Sequence, residues 1–150
     1  MAETQASGDS WQVKKENILQ SIIWFDNLTR QDLALVGGKN ASLGEMTGLA
    51  KKINAGISPG FAINAHLFRT FIRRNNLAAT IQTYLDEYRA GTQTLATSGQ
   101  RIRQQILAGT FTDAEKTVIT GAYRKLCERA GQRDVAVRSS ATAEDLPEAS

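Results

Sequence analysis

A pair of glycines followed by a lysine, Gly37-Gly38-Lys39, is the feature that most restricts how this chain can fold. Adjacent glycines can take backbone angles that are closed to other residues, so the chain can turn sharply and a ligand can approach bare backbone. The next residues, Asn40 to Met46, have the spacing of an amphipathic helix. A helix N-terminus attracts anions, and Lys39 would add a full positive charge beside it. The segment therefore predicts a phosphate-binding turn.

The same segment allows a simpler interpretation, in which a Gly-Gly turn precedes a surface helix and Lys39 is an ordinary solvated lysine. The spacing differs from that of the common phosphate loop, because no Gly-x-x-x-x-Gly-Lys-Ser/Thr run is present. On this segment alone both interpretations stay open.

Length and composition limit the class of protein. A chain of 150 residues is long enough for one domain with a sizeable core. No apolar run approaches the roughly 20 residues that span a bilayer, so we expect no membrane segment. The single cysteine, Cys127, cannot form an internal disulfide, and the chain starts without an apolar secretory segment. Both features favour a reducing, cytoplasmic location.

The formal net charge of +3 raises the question of a nucleic-acid partner. Nucleic-acid binding needs clustered lysines and arginines, but here they are scattered among acidic residues. We therefore expect no nucleic-acid partner and favour a small polyanion as the ligand. One cysteine and one histidine predict no metal site. His66 has no apparent partner for general-base catalysis, so no catalytic residue is predicted.

The hydrophobic pattern predicts an α+β fold with short strands covered by four or five helices. Residues 1–17 are polar and are expected to form a flexible tail. Short runs of apolar, partly β-branched residues predict the strands, and the first of them is expected to be buried. The predicted strands lie near residues 22–25, 57–63 and 135–138.

The helix pattern makes three local predictions. Thr29 and Asp32 have the spacing of a capped helix start. In the helix after Lys39, Leu43, Met46 and Ala50 are expected to fall on one apolar side, with Leu49 beside them. Cys127 continues the apolar stripe of the last helix, so we expect its thiol to be buried and unreactive.

A second candidate anion site lies near the other end of the chain. Arg138 is predicted to end a short strand, where its guanidinium would lie next to three hydroxyl groups, those of Ser139, Ser140 and Thr142. Such a group can hold phosphate oxygens. Pairing of Arg138 with Glu144 or Asp145 at a surface turn is equally compatible with the pattern. If both sites exist, Lys39 and Arg138 could hold one nucleotide from two sides.

Three segments carry a family resemblance: Val36 to Met46, Pro59-Gly60-Phe61, and Val135 to Pro147. Together they closely resemble the start of phosphoenolpyruvate synthase, also called pyruvate, water dikinase. The resemblance covers residues 22–150, with the middle helices matching only in pattern. It implies that residues 18–150 are the incomplete N-terminal part of a nucleotide-binding domain of the ATP-grasp kind. It also implies ATP contacts from a set of residues that comprises Gly37, Gly38, Lys39, Arg138, Ser139, Ser140 and Thr142.

In that family ATP, pyruvate and water are converted to phosphoenolpyruvate, AMP and phosphate through a phosphorylated histidine on a separate swivelling domain. The resemblance implies ATP and Mg²⁺ as cofactors, pyruvate held by a C-terminal domain, and a homo-oligomeric full-length enzyme. Lys39 and Arg138 would act as electrostatic clamps. His66 does not match the phosphorylated histidine. The metal ligands are expected beyond Ser150, and the chain alone is expected to bind ATP weakly or not at all and to be inactive.

Three alternatives stay open. Pyruvate, phosphate dikinase begins with a similar Gly-Gly-Lys segment but lacks the Ala-Thr-Ala-Glu-Asp-Leu-Pro continuation after its arginine. Rifamycin phosphotransferases share much of that continuation and act on an antibiotic. A nucleotide-sensing or interaction module without turnover would also keep the fold.

Overall fold

The structure, a computed structural model, describes residues 18–142. The predicted tail, residues 1–17, and the last eight residues of the chain lie outside the described part. The fold is α+β: most residues are helical, and the strands form a small two-stranded sheet. The described residues divide into two compact units, with the boundaries after His66 and after Thr112. The first unit contains both strands and both predicted anion-binding segments.

The sheet of the first unit pairs β1 (Ile22–Trp24) with β2 (Phe61–Ile63) in antiparallel register, with Ile23 opposite Ala62. β-Branched and aromatic residues favour this pleated pairing. The Trp24 and Phe61 rings meet edge to face, with their centroids 5.4 Å apart. The predicted strand near 22–25 is therefore confirmed over Ile22–Trp24, although β1 is half-buried rather than buried. The strand predicted near 57–63 is confirmed only over Phe61–Ile63, since residues 57–60 form no strand.

A capped turn follows the first strand. The backbone N–H of Thr29 donates to the Asp32 carboxylate at 2.8 Å, and the Gln31 N–H donates to the Thr29 hydroxyl at 3.3 Å. This reciprocal capping box confirms the predicted helix start. A 3₁₀ turn, Arg30–Asp32, then leads into α1 (Leu33–Val36) and so to Gly37.

The helix α2 (Gly38–Lys52) packs through its small residues. Its buried positions recur every third residue, at Gly38, Ala41, Gly44, Thr47 and Ala50. Leu28 contacts this side so closely that a Cβ on Gly44 would lie 2.7 Å from the Leu28 carbonyl oxygen. The large apolar residues face outward, with Met46 and Leu49 exposed by 52% and 56%. The predicted apolar side is therefore not the buried side of the helix: of its residues only Ala50 is buried, because no room exists for large side chains beside Leu28.

The core of the first unit combines residues from β2, α1, α2 and the turn after β1. Its buried members are Leu28, Val36, Ala41 and Ala62, and partly buried Ile23, Phe25 and Leu33 pack against them. Burial of such apolar area is the main force that holds the elements together.

The helix α6 (Asp113–Ala130) contacts β1 through a cation and a ring. The Arg129 guanidinium lies over the Trp24 ring, 4.0 Å from its centroid, and reaches the Asp26 carboxylate at 3.4 Å. Lys51 at the end of α2 pairs with the same carboxylate at 3.1 Å. Asp26 therefore links α6 and α2 to the turn after β1.

The thiol of Cys127 is half-buried, so the prediction of a buried cysteine was only partly right. It lies beside Tyr123, an exposed residue one turn earlier in α6. The hydrogen bond with Cys127 raises the pKa of the Tyr123 phenol. The Tyr123 hydroxyl also donates to the Arg133 carbonyl at 2.9 Å, which fixes the chain where it leaves α6.

The third predicted strand, residues 135–138, is not formed. A strand needs a neighbour that completes its ladder of hydrogen bonds, and β1 and β2 in the described part of the chain pair only with each other. The alternating valines are exposed, Val135 by 40% and Val137 by 90%. The sequence pattern is that of a strand, but the described residues provide no partner for it.

The second unit, Leu67–Thr112, is helical. It contains α3 (Ala65–Arg74) from Leu67 onward, α4 (Leu77–Arg89) and α5 (Leu95–Ala108). Leu67 and Phe71 are buried, and the Phe71 ring packs on Phe111 with centroids 4.9 Å apart. Arg101 of α5 pairs with Glu87 of α4. Together with α2 and α6, they bring the number of helices with at least ten residues to five within residues 18–142. Four or five helices were predicted.

We predict opposite effects for two glycine-to-alanine substitutions in α2. Gly44→Ala places a methyl group against Leu28, and such overpacking should lower the free energy of unfolding by about 2 kcal/mol. Gly48→Ala is the matched control, because a Cβ there has no neighbour within 4 Å. It should raise the free energy of unfolding by about 0.5–1 kcal/mol through helix propensity. Urea denaturation measures both, and an equal stabilisation by the two variants would contradict the packing of Leu28 on Gly44.

Candidate phosphate-binding site

Gly37 forms the turn between α1 and α2. Its φ of 79° and ψ of 161° lie in a region that essentially only glycine occupies. Its N–H donates to the Leu33 carbonyl at 2.8 Å, and its carbonyl accepts the Ala41 N–H at 3.0 Å. One residue thus ends α1 and begins α2. The direction of the N-terminus of α2 therefore depends on the glycine.

The segment that carries Arg138 reaches this same turn. The backbone N–H of Asn40 donates to the Ser140 hydroxyl, at a long 3.4 Å, across 100 residues of sequence. A Cβ on Gly37 would lie 2.7 Å from the Ala141 carbonyl oxygen and closer still to the Ser140 hydroxyl. The space beside the Gly37 backbone is therefore occupied by Ser140 and Ala141 of the chain, where the sequence suggested the approach of a ligand. The two predicted anion-binding segments meet here.

Asn40 closes the turn on its other side. Its side-chain amide donates to the Val36 carbonyl at 2.9 Å, and so bridges Gly37 and Gly38. Sequence reasoning did not single out Asn40. The signal was an asparagine directly after Gly-Gly-Lys, since short amides readily bond to nearby backbone groups in turns.

The two cations belong to the two segments that this contact joins. Lys39 is exposed in the first turn of α2, and Arg138 is exposed two residues before Ser140. The hydrogen bond between Asn40 and Ser140 limits the distance between the Cα atoms of Lys39 and Arg138 to at most about 19 Å by chain geometry. The remaining predicted residues divide by exposure: Gly37 and Gly38 are buried, Ser139 is exposed, and Ser140 and Thr142 are half-buried. Glu144 and Asp145, the alternative partners of Arg138, lie outside the described residues.

This arrangement can bind an anion. It combines a helix N-terminus, two cationic side chains and three hydroxyl groups on adjoining segments. Within residues 18–142 no three His, Cys, Asp or Glu side chains come together as metal ligands. His66 is exposed at the start of α3. Among the described helices none combines the length and apolar character needed to cross a membrane.

Residues 33–150 match the family described as pyruvate phosphate dikinase, AMP/ATP-binding domain. The match covers more than three quarters of the chain, which therefore belongs to this family.

The chain is also similar to phosphoenolpyruvate synthases. It is 41% identical over 136 residues to the enzyme of Synechocystis sp. and 43% identical over 132 residues to that of Neisseria meningitidis serogroup B. It is 38% identical over 130 residues to the enzyme of Escherichia coli K12. These matches cover 86% of the chain but only 16–17% of each relative. The family resemblance predicted from the three sequence segments is thus confirmed, and the chain spans less than a fifth of these relatives.

We predict that Gly37→Ala will be strongly destabilising, because it adds a methyl group against Ser140 and Ala141 at a glycine-only backbone conformation. The free energy of unfolding should fall by about 3 kcal/mol in urea denaturation. Gly131→Ala is the matched control. Gly131 also has a positive φ, 67°, but a Cβ there has no neighbour within 4 Å, so a loss of about 1 kcal/mol is expected. Equal losses in the two variants would argue against the contact between Gly37 and the Ser140 segment.

Proposed function

We propose that this chain is the ATP-binding part of a phosphotransferase that forms phosphoenolpyruvate, AMP and phosphate from ATP, pyruvate and water. The observation that carries the proposal is the hydrogen bond between Asn40 and Ser140, which joins the segments of Lys39 and Arg138. The family description supports ATP as the nucleotide. The phosphoenolpyruvate synthase relatives support this reaction over an antibiotic phosphotransferase, a pyruvate, phosphate dikinase or a nucleotide sensor.

In this proposal Lys39 and Arg138 neutralise the phosphate chain from two sides. Phosphoryl transfer depends mainly on positioning and on charge stabilisation, so two cations are suitable catalytic aids without being nucleophile or base. The Gly37-Gly38 turn holds the start of α2 in place. The hydroxyl groups of Ser139, Ser140 and Thr142 help to place the phosphates, Ser140 through its hydrogen bond with Asn40.

Mg²⁺ would neutralise further phosphate charge when bound. The described residues do not fit a magnesium site, because no group of three carboxylate, imidazole or thiol ligands occurs among them. We therefore assign no step to the ion within this chain, and expect its ligands elsewhere in the full-length protein.

The rest of the proposal concerns the whole protein. The described α+β fold is taken as the N-terminal part of an ATP-grasp domain. Pyruvate and the phosphorylated histidine would be supplied by other domains of the full-length chain, as a homo-oligomer. A cytoplasmic location is proposed from the single cysteine and the nature of the substrates.

Alanine substitution of each cation tests the proposal in the full-length protein. Lys39→Ala and Arg138→Ala should each weaken ATP binding roughly 10- to 100-fold, because a charged hydrogen bond to phosphate is lost. ATP-dependent labelling of the histidine at limiting ATP should fall in parallel, with unchanged circular dichroism.

Two exposed cations elsewhere on the same two segments serve as controls. Lys52→Ala removes a lysine from the opposite end of α2, and Arg133→Ala removes an arginine five residues before Arg138. Both controls should bind ATP normally. Normal labelling and affinity in Lys39→Ala and Arg138→Ala would refute the clamp.

A further inference from the structure

We propose that Ser140 is a positioning residue, which sets the place of Arg138 by capping the N-terminus of α2 instead of contacting phosphate itself. The inference rests on the proposed function, in which Arg138 binds the phosphate chain. It gives Asn40 a second role: besides the bond from its side chain to Val36, its backbone N–H donates to the capping hydroxyl of Ser140.

The N-terminus of α2 lacks the usual local cap. The first N–H groups of a helix have no partner within the helix, and a Ser, Thr, Asp or Asn at the N-cap commonly accepts the third of them. Here the N-cap is Gly37, which has no side chain. The third N–H belongs to Asn40, and it donates to the hydroxyl of Ser140, which lies 100 residues later in the sequence. Ser140 therefore performs from a distance what an N-cap side chain performs locally.

The turn is shaped to receive this hydroxyl. Gly37 has no Cβ where Ser140 and Ala141 approach, and any other residue would push them away. The Asn40 side chain bonds to the Val36 carbonyl and so holds the backbone of the turn in one conformation. The N–H of Asn40 is thus presented in a fixed direction.

Burial contributes little to the position of the arginine segment. Arg138 and Ser139 are exposed, and Val137 is exposed by 90%. No strand pairing holds residues 134–140 in the described part of the chain. Within residues 18–142, the hydrogen bond at Ser140, two residues from Arg138, ties this segment to the start of α2. Without it, ATP binding would have to order the segment, and that ordering weakens affinity.

A double-mutant cycle on ATP affinity tests the inference in the full-length protein. Ser140→Ala should weaken ATP binding about fivefold in the wild-type background, a typical effect of losing a helix cap. In the Arg138→Ala background the loss should be clearly smaller than fivefold, since there is no guanidinium left to position. A merely structural weakening would act equally in both backgrounds. Ser42→Ala, an exposed serine on α2, is the control.

The outcomes separate the inference from the proposed function. If Arg138→Ala weakens binding and the Ser140→Ala effect multiplies with it, Ser140 acts independently of Arg138, by a phosphate contact of its own or through general stability, and the positioning role is wrong. The positioning role is equally wrong if Ser140→Ala has no effect alone. If Arg138→Ala itself leaves affinity unchanged, the proposed clamp fails, and the positioning role fails with it.

A distance measurement tests the attachment without ATP. Spin labels at two exposed positions, Ser42 and Val137, report the separation of the start of α2 and the arginine segment when Cys127 is replaced by alanine. Ser140→Ala should broaden the distance distribution. Asn40→Ala removes the hydrogen bond from the side chain to Val36 and should broaden the distance distribution less. If the Ser140→Ala variant does not fold, Asn40→Ala takes its place in the test. An unchanged distribution would overturn the inference.

Discussion

The contact between Ser140 and the N-terminus of α2 depends on a missing side chain. Gly37 permits both the backbone conformation that joins α1 to α2 and the approach of a segment 100 residues away. Both requirements fall on one residue, and no amino acid other than glycine meets them. The candidate site exists only because the chain is bare at this point.

The same principle explains how α2 attaches to the rest of the first unit. Three glycines in a 15-residue helix lower its intrinsic stability by about 1 kcal/mol each relative to alanine. Gly44 compensates for this loss by admitting Leu28 to a distance that any side chain would prevent. The helix is therefore held by close packing of small residues and by its ends, and weakly by its own propensity.

Sequence reasoning succeeded where a short stretch determines its own structure. The capping box of Thr29 and Asp32, the strand at Ile22–Trp24 and the Gly-Gly turn are all local features. It failed where the outcome depends on a distant partner. Helical periodicity shows that α2 has an apolar side, but it cannot show that Leu28 leaves room only for small residues. Likewise, alternation in residues 135–138 describes a possible strand without supplying its neighbour. The hydrogen bond from the Asn40 N–H was missed for the same reason, since its acceptor is Ser140.

A helix with low intrinsic stability makes its N-terminal contacts more consequential for binding. Lys39 is carried by the first turn of α2, where fraying would move its charge. A cap on Asn40 suppresses fraying and at the same time anchors the segment of Arg138. Both cations are then preorganised by one hydrogen bond, and neither has to be ordered by the ligand. The long 3.4 Å separation and the half-buried hydroxyl describe an attachment of moderate strength. An anion at the start of α2 would reinforce the helix by the same electrostatic interaction that binds the anion, so ligand affinity and local stability should be linked.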